Sequence, residues 1–398
     1  MRQGLVHTIV SAAAVVGAAV VAAAVTAGPA GAVTVSTEAQ LQAAFADASE
    51  TEIVLANSID LTCAGGGDLD RNSATALTVQ GGGFTIRQTC AGEGVMQQEG
   101  TGALTMVGVT LTGGSATATS GGAIATSGGT GVVTLTNSTI SGNSTVGAGG
   151  GIFAFTVTAT DSTISGNQAV NDGGGIAAFD LTLVRSTVSG NSGGFGGGVR
   201  SVNGPVVTNS TISGNTASNG GGGFARSSAA GGGSLVYSTV VQNISATAAN
   251  IDANDLASFG SVVALPQGGG ENCADALASN GFNFSDDDSC GLTNPTDRQD
   301  AGDPLLGGLA SNGGPTQTHL PLAGSPLVDA IPVSSCQADG ASGVTTDQRG
   351  IARPQGAGCD IGAVETAGAG PSPPEPVPPG PTPPGPAAAV TARPRFTG

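Results

Sequence analysis

One seven-residue phrase is written five times along the middle of the chain: Asn137-Ser-Thr-Ile-Ser-Gly-Asn143, then Asp161 to Asn167, Arg185 to Asn191, Asn209 to Asn215 and, more loosely, Tyr237 to Asn243. From Thr139 the steps to Thr163, Thr187, Thr211 and Thr239 are 24, 24, 24 and 28 residues. A fixed period of this length marks a repeat architecture and constrains the fold more than any bulk property does.

Each period reads as one coil of three short strands. A glycine cluster opens the first, as in Gly121-Gly-Ala-Ile124, Gly149 to Ile152 and Gly173 to Ile176. Val133-Thr-Leu-Thr136, Val157 to Thr160 and Leu181 to Val184 supply the second, and the Ser-Thr-Ile-Ser phrase the third. Alternation of β-branched residues between Gly and Asn signals strands, not helices. It sends Ile140, Ile164, Val188, Ile212 and Val240 to one face as a core column, with Thr139/Ser141, Thr163/Ser165, Thr187/Ser189 and Thr211/Ser213 on the other. One coil cannot bury its own aliphatics, but stacked coils can. The predicted fold is all-β: a single-stranded parallel β-helix with three strands per ~24-residue coil, right-handed by the usual crossover rule.

Asn143, Asn167, Asn191, Asn215 and Asn243 recur at one turn. Asn tolerates the left-handed conformation, and its amide can bond to the Asn of the coil above and below as a turn ladder. Hydroxyls and amides are both expected on the solvent side. An exposed row of ligand-binding amides is the less favoured reading.

Residues 1–32 read as an export signal: Arg2 and His7 precede an apolar run from Thr8 to Val25, and Ala30-Gly-Ala32 is a small-x-small cleavage site. The mature chain would begin near Val33. Within a β-helix spanning 33–302, residues 36–48 are predicted to form a short capping helix, with Leu41, Ala44 and Phe45 on one face, because an open first coil would expose strand edges. The regular repeats occupy 108–243, and 244–302 is an irregular region rich in Asn, Asp and Gly. Residues 303–366 form a separate segment. The stretch 367–398 is a linker and tail, proline-rich from Pro371 to Pro386, that reads as an extended spacer without an apolar span of membrane length. A secreted or surface-associated protein is expected.

Six cysteines in an exported chain suggest three disulfides. Proximity in sequence favours Cys63–Cys90, Cys273–Cys290 and Cys336–Cys359. A metal site is disfavoured by the absence of a Cys-x-x-Cys pair. No cofactor is expected, and Asp286-Asp-Asp288 is the one candidate for Ca²⁺, although an acidic loop is usually just solvated. A net charge of −17 argues against nucleic acid and anionic membranes as partners.

In the C-terminal segment, Asp303-Pro-Leu-Leu-Gly307, Asn312-Gly-Gly-Pro-Thr-Gln-Thr-His319, Gly324-Ser-Pro-Leu-Val-Asp329, Asp347-Gln-Arg-Gly-Ile-Ala-Arg-Pro354 and Cys359-Asp-Ile-Gly-Ala-Val-Glu365 occur in order. This run resembles the choice-of-anchor Q domain that follows parallel β-helix repeats in secreted and surface bacterial proteins. The Gly-Gly-Ala/Gly-Ile and Ile-Ser-Gly-Asn repeats are similar to polymorphic outer-membrane protein repeats, and the fold resembles the pectate-lyase-like superfamily. The resemblance implies a surface location and no particular chemistry.

Asp347, Arg349, Arg353, Asp360 and Glu365 form a dense charged group, expected to be ion pairs that lock loops, since the Arg fork suits carboxylates. His319 reads as a hydrogen-bonded loop residue. In the regular coils the charges are Asp161, Asp172, Asp180, Arg185, Arg200 and Arg226, with no column of carboxylates and no facing pair for glycoside chemistry. Three function classes follow. The favoured one is a non-catalytic surface or secreted β-helix acting in adhesion, with an extracellular polysaccharide or cell-surface component as partner. A polysaccharide lyase or hydrolase is the alternative by fold analogy, and an ice-binding Thr/Ser face is a minor third.

Overall fold

In the computed structural model, residues 26–27 and 31–367 are described, apart from 119, 127–128, 227–231 and 339. The expected export signal and the proline-rich tail therefore fall outside the described residues, except at their inner margins.

The repeats stack into a parallel β-solenoid of about ten coils wound through sheets A and B, with five strands among the described residues adding a third sheet, C. Sheet B takes one strand per coil, among them Thr110–Thr112, Thr139–Ser141, Thr163–Ser165, Thr187–Ser189, Thr211–Ser213 and Thr239–Val241. Its register sets Ile140 beside Ile164, then Val188, Ile212 and Val240. All five are buried and point into one continuous apolar interior. Sheet A carries the glycine-led strand and the one after it. In two coils these fuse into nine-residue strands, Ile152–Thr160 and Ile176–Val184. Sheet C is made of short strands such as Ser144–Thr145 and Gln168–Ala169.

Coil stacking continues where the sequence period fails. Val262–Ala264 and Phe284–Ser285 extend sheet B beyond 244, and Ile59–Leu61 and Thr85–Gln88 begin it. Loop lengths vary there, while the inward position stays aliphatic from Ile59 and Ile86 to Val263 and becomes Ser285 only in the last strand.

Helix α1, Glu38–Ala46, closes the first coil and is slightly shorter than the expected 36–48. The Thr37 hydroxyl caps it by accepting from the Gln40 N–H, and Leu41, Ala44 and Phe45 cover the open core. The buried Arg71 holds its far end, donating to the carbonyls of Phe45, Asp47 and Glu50 at 2.6–2.9 Å. The Phe45 carbonyl is one of those the helix C-terminus leaves without an intrahelical partner, and the other two belong to the turn that follows. The cysteines pair as Cys63–Cys90, Cys273–Cys290 and Cys336–Cys359.

The asparagine column corrects two expectations. Asn143, Asn167, Asn191, Asn215 and Asn243 face inward and are buried, not turned to solvent. They also lack positive φ. That conformation falls on Gly142, Gly166, Gly190 and Gly214, just before them, and on Asn137, Asp161, Arg185, Asn209 and Tyr237 at the start of each phrase. The Oδ1 of Asn191 accepts both the backbone N–H (2.9 Å) and the side-chain amide (3.0 Å) of Asn167, while its own amide donates to Ile164 O and Asn215 Oδ1. The same bonds repeat at each rung. Beyond Asn243 the ladder passes to Asn250 and Asn272 and ends on Asp286. Space for it comes from glycine: a Cβ on Gly175 would sit 3.1 Å from Asn191 Cγ and 2.6 Å from Gly198 O.

At the other end of the same strands a serine ladder runs in parallel. The buried hydroxyls of Ser162, Ser186, Ser210, Ser238 and Ser261 each accept the backbone N–H of the serine one coil earlier. A buried donor left without its partner costs about 1–3 kcal/mol. Asn191→Ala strands the Asn167 N–H and amide together and should lower unfolding stability by about 3 kcal/mol, measured by guanidinium denaturation. Ser165→Ala, on the outward face, should stay within about 0.5 kcal/mol.

Candidate functional site

The outward hydroxyls of sheet B are not one open surface. Residues 303–366 lie against sheet B from the Thr187 coil onward. Thr187 Oγ1 donates to Gln317 O (2.6 Å) and Thr211 Oγ1 to Gln348 Oε1 (2.7 Å), while Thr239 Oγ1 accepts from the Ala363 N–H (3.0 Å). Gln348, itself fully buried, also donates to Thr187 Oγ1 and Thr316 Oγ1. Of the four Thr/Ser pairs, Thr187/Ser189 and Thr211/Ser213 are therefore buried. Only Thr139/Ser141 and Thr163/Ser165 keep partial exposure. This corrects the expected columns of solvent-facing hydroxyls.

His319 is buried between the two layers. Gly307 O can only accept, so Nδ1 donates to it (2.7 Å), and in the neutral ring Nε2 accepts the Ser213 hydroxyl (2.8 Å). Burial pushes its pKa below the usual 6.5, against the pull of the Gly307 carbonyl.

Asp347, Arg349, Arg353, Asp360 and Glu365 converge, but not as one set of ion pairs. Arg349 pairs with Asp347 at 2.8 Å, and Arg353 with Glu365 at 2.9 Å, both partners of the latter pair being fully buried. Asp347 also accepts the N–H groups of Arg349, Ile351 and Glu365. The Arg353 guanidinium lies 4.2 Å from the Tyr237 ring centre and donates to the carbonyls of Asp360 and Gly362. Asp360 departs from the expectation: its carboxylate accepts the N–H of Asp329 and the N–H and hydroxyl of Thr366, not a guanidinium. Burial raises the pKa of both Asp360 and Glu365. These carboxylates are spent on backbone donors and neighbouring side chains inside the protein, which is the chemistry of a clasp.

Elsewhere the charges are also placed. Arg185 grips Asp161 of the preceding coil with Nε and Nη2, at 2.8 and 2.6 Å. Asp180 accepts from the Asn203 amide, and Arg226 bonds to Asn254. Asp286 and Asp287 cap the asparagine ladder and the turn at Ser289, whereas Asp288 is exposed. Among the described residues no three His, Cys, Asp or Glu side chains converge to hold a metal ion.

An open site lies on the outer face of sheet A. Strand alternation puts Ile152 and Ala154 inside, so Phe153 and Phe155 point out, and Phe179 stands beside Phe155 one coil on. The Phe155 and Phe179 rings stack at 4.6 Å and 9°. Phe153 and Phe179 are each 37% exposed. With Ala177 and Ala178 between them, they line a groove of about 470 Å³ that reaches Asp172 and Arg200. Arg200 lies 5.1 Å from the Phe195 ring centre and 3.8 Å from Asp172, and donates to Arg226 O. Composition hid this site. The signal was legible in Ile152-Phe-Ala-Phe155, where alternation leaves both phenylalanines on the outward side.

Residues 32–171 match the model of a family described, provisionally, as a pectate lyase-like adhesive domain, and the match includes Phe153 and Phe155. No curated protein and no solved structure matches the chain.

Two outcomes follow from the clasp. Arg353→Met leaves the Glu365 carboxylate buried without its partner and should cost about 3–5 kcal/mol, read by denaturation together with earlier proteolysis within 303–366. For His319 the folded pKa is depressed, so its contribution is complete above pH 6.5 and is lost as pH falls below that value. The raised pKa of Asp360 and Glu365 acts oppositely, so the difference between wild type and His319→Gln isolates the histidine. That difference in denaturation midpoint should shrink between pH 7 and pH 5.

Proposed function

We propose that this chain is an extracellular adhesive solenoid, not an enzyme, that touches its partner through the outer face of sheet A. The observation that carries the reading is the contrast between two surfaces. The charged and hydroxyl groups around sheet B are consumed in holding the C-terminal segment, while the phenylalanine groove on sheet A has no partner within the described residues. Soluble proteins seldom leave aromatic side chains clustered in the open without a binding role. The family match over 32–171 supports adhesion, and three disulfides suit an oxidising compartment.

On this reading residues 1–32 direct export and 33–302 form the adhesive body. Residues 303–366, similar to the choice-of-anchor Q domain, lock onto sheet B near the surface of the producing cell. The similarity of the coils to polymorphic outer-membrane protein repeats points the same way. The partner is an extracellular polysaccharide or another cell-surface component. The lyase alternative would need carboxylates gathered around a free arginine base, but Arg185 is bonded to Asp161 and Arg226 to Asn254, while Arg200 is held by Asp172, the Phe195 ring and the Arg226 carbonyl. An ice-binding face would need long open hydroxyl columns, and half of these are covered.

Binding of the full chain to immobilised cell-surface preparations and polysaccharides tests the reading. Phe153→Ser with Phe179→Ser should weaken retention by at least about tenfold, since aromatic anchors dominate such contacts, while the denaturation midpoint changes little. Undiminished retention by the double variant would remove sheet A from the binding surface.

A further inference from the structure

The groove has a narrower chemistry than adhesion alone requires. Its walls are the Phe153, Phe155 and Phe179 rings and its base is Ala177 and Ala178. The polar groups at its end are Asp172 and Arg200, already turned toward one another, with Arg200 also bonded to Arg226 O. A polysaccharide partner can lay only its apolar ring faces on these walls, because few hydrogen-bonding groups remain here for its hydroxyls. A ligand with flat apolar rings and few donors fits better. Polyproline segments have that character: their backbone lacks N–H groups, their rings lie on aromatic side chains, and their preset conformation limits the entropy lost on docking.

Such a segment belongs to this chain. Pro371 to Pro386 reads PSPPEPVPPGPTPPGP, and its single charged residue is Glu375, the complement of Arg200. Reach is sufficient. Thr366 is tied to Asp360, and the Arg353 that bonds to this part of the segment also contacts Asn209, at the corner where sheet A turns into sheet B. From that corner the groove is a few residues back along the sheet A strands and a few coils along the axis, at about 4.8 Å per coil. The 19 steps from Ala367 to Pro386 span about 60 Å in polyproline geometry.

We propose that the proline-rich segment Pro371–Pro386 of the same molecule occupies the Phe153–Phe155–Phe179 groove, with Glu375 facing Arg200. The solenoid then carries its own competitor for the surface it uses in adhesion. This builds on the adhesive reading for its consequence, but its test involves no extracellular partner, so either can fail alone.

All six cysteines are disulfide-bonded, so a Val377→Cys full chain takes one fluorophore, and a Thr382→Cys chain provides an independent second position. Time-resolved anisotropy should show both labels tumbling with the solenoid. Phe155→Ser with Phe179→Ser, or an excess of free peptide 371–386, should release them to motion at least about tenfold faster, as for an unattached terminus. Fast motion of both labels in the otherwise unaltered chain would overturn the proposal. So would slow motion that neither the groove substitutions nor the peptide relieves. Slow motion appearing only as protein concentration rises would assign the occupant to a second copy and overturn the intramolecular form.

Discussion

The inward asparagine ladder is the constraint on which the solenoid depends. A parallel coil must turn corners, and every corner leaves backbone N–H and C=O groups facing an apolar interior. Each unmade bond there is costly. In this chain one amide per coil answers several of these groups at once: Asn215 takes the Asn191 N–H and amide, and gives to Val188 O and Asn243 Oδ1. The serine ladder performs the matching task at the opposite end of the strand. Between these rails each sheet B phrase adds one stacked aliphatic and the sheet A strands add pairs such as Val133 and Leu135, so a chain with 3% aromatic residues still closes a core.

Rigid register then determines what each outer face can be. On sheet B it spaces hydroxyls evenly, and the C-terminal segment reads that spacing with Gln317, Gln348, His319 and the Ala363 N–H. On sheet A it places outward residues of successive coils in columns, Phe153 beside Ala177 and Ala177 beside Arg200. An alanine between a phenylalanine and an arginine is a notch by construction. The groove is thus a property of register, needing no loop to shape it.

These levels were unequally legible in the sequence. Period and alternation were enough for the coil, for the Ile140-to-Val240 column and for the covering helix, because all three follow from spacing along the chain. Alternation has nothing to say about a turn residue, so the inward direction of Asn143 and its equivalents stayed hidden, and the left-handed role belonged to Gly142 and its equivalents. Which hydroxyls are covered depends on contacts across 130 and 137 residues, such as Thr187 to Gln317 and Thr211 to Gln348, and no local pattern encodes them. Arg71 escaped for the same reason, since its function is to satisfy carbonyls more than 20 residues earlier. The phenylalanine groove was within reach of the alternation rule. It was missed because a count of aromatic residues says nothing about which way they face.

The distribution of charge separates the two ends of the rod. Near its start, burial together with Asp70 and Glu93 raises the Asp68 pKa to about 6, and burial with Glu99 and Glu93 raises that of Asp70. Carboxylates crowded this closely resist a further negative charge nearby, so an anionic polymer is repelled from those coils. The groove coils have no such crowding: Arg185 offsets Asp161, and Arg200 faces Asp172. On the adhesive reading proposed above, an anionic partner would meet repulsion over the first coils and a nearly neutral, aromatic strip farther on. On that reading electrostatics and shape favour the same place on sheet A, and they do so chiefly through the outward side chains of Phe153, Phe155, Phe179 and Arg200.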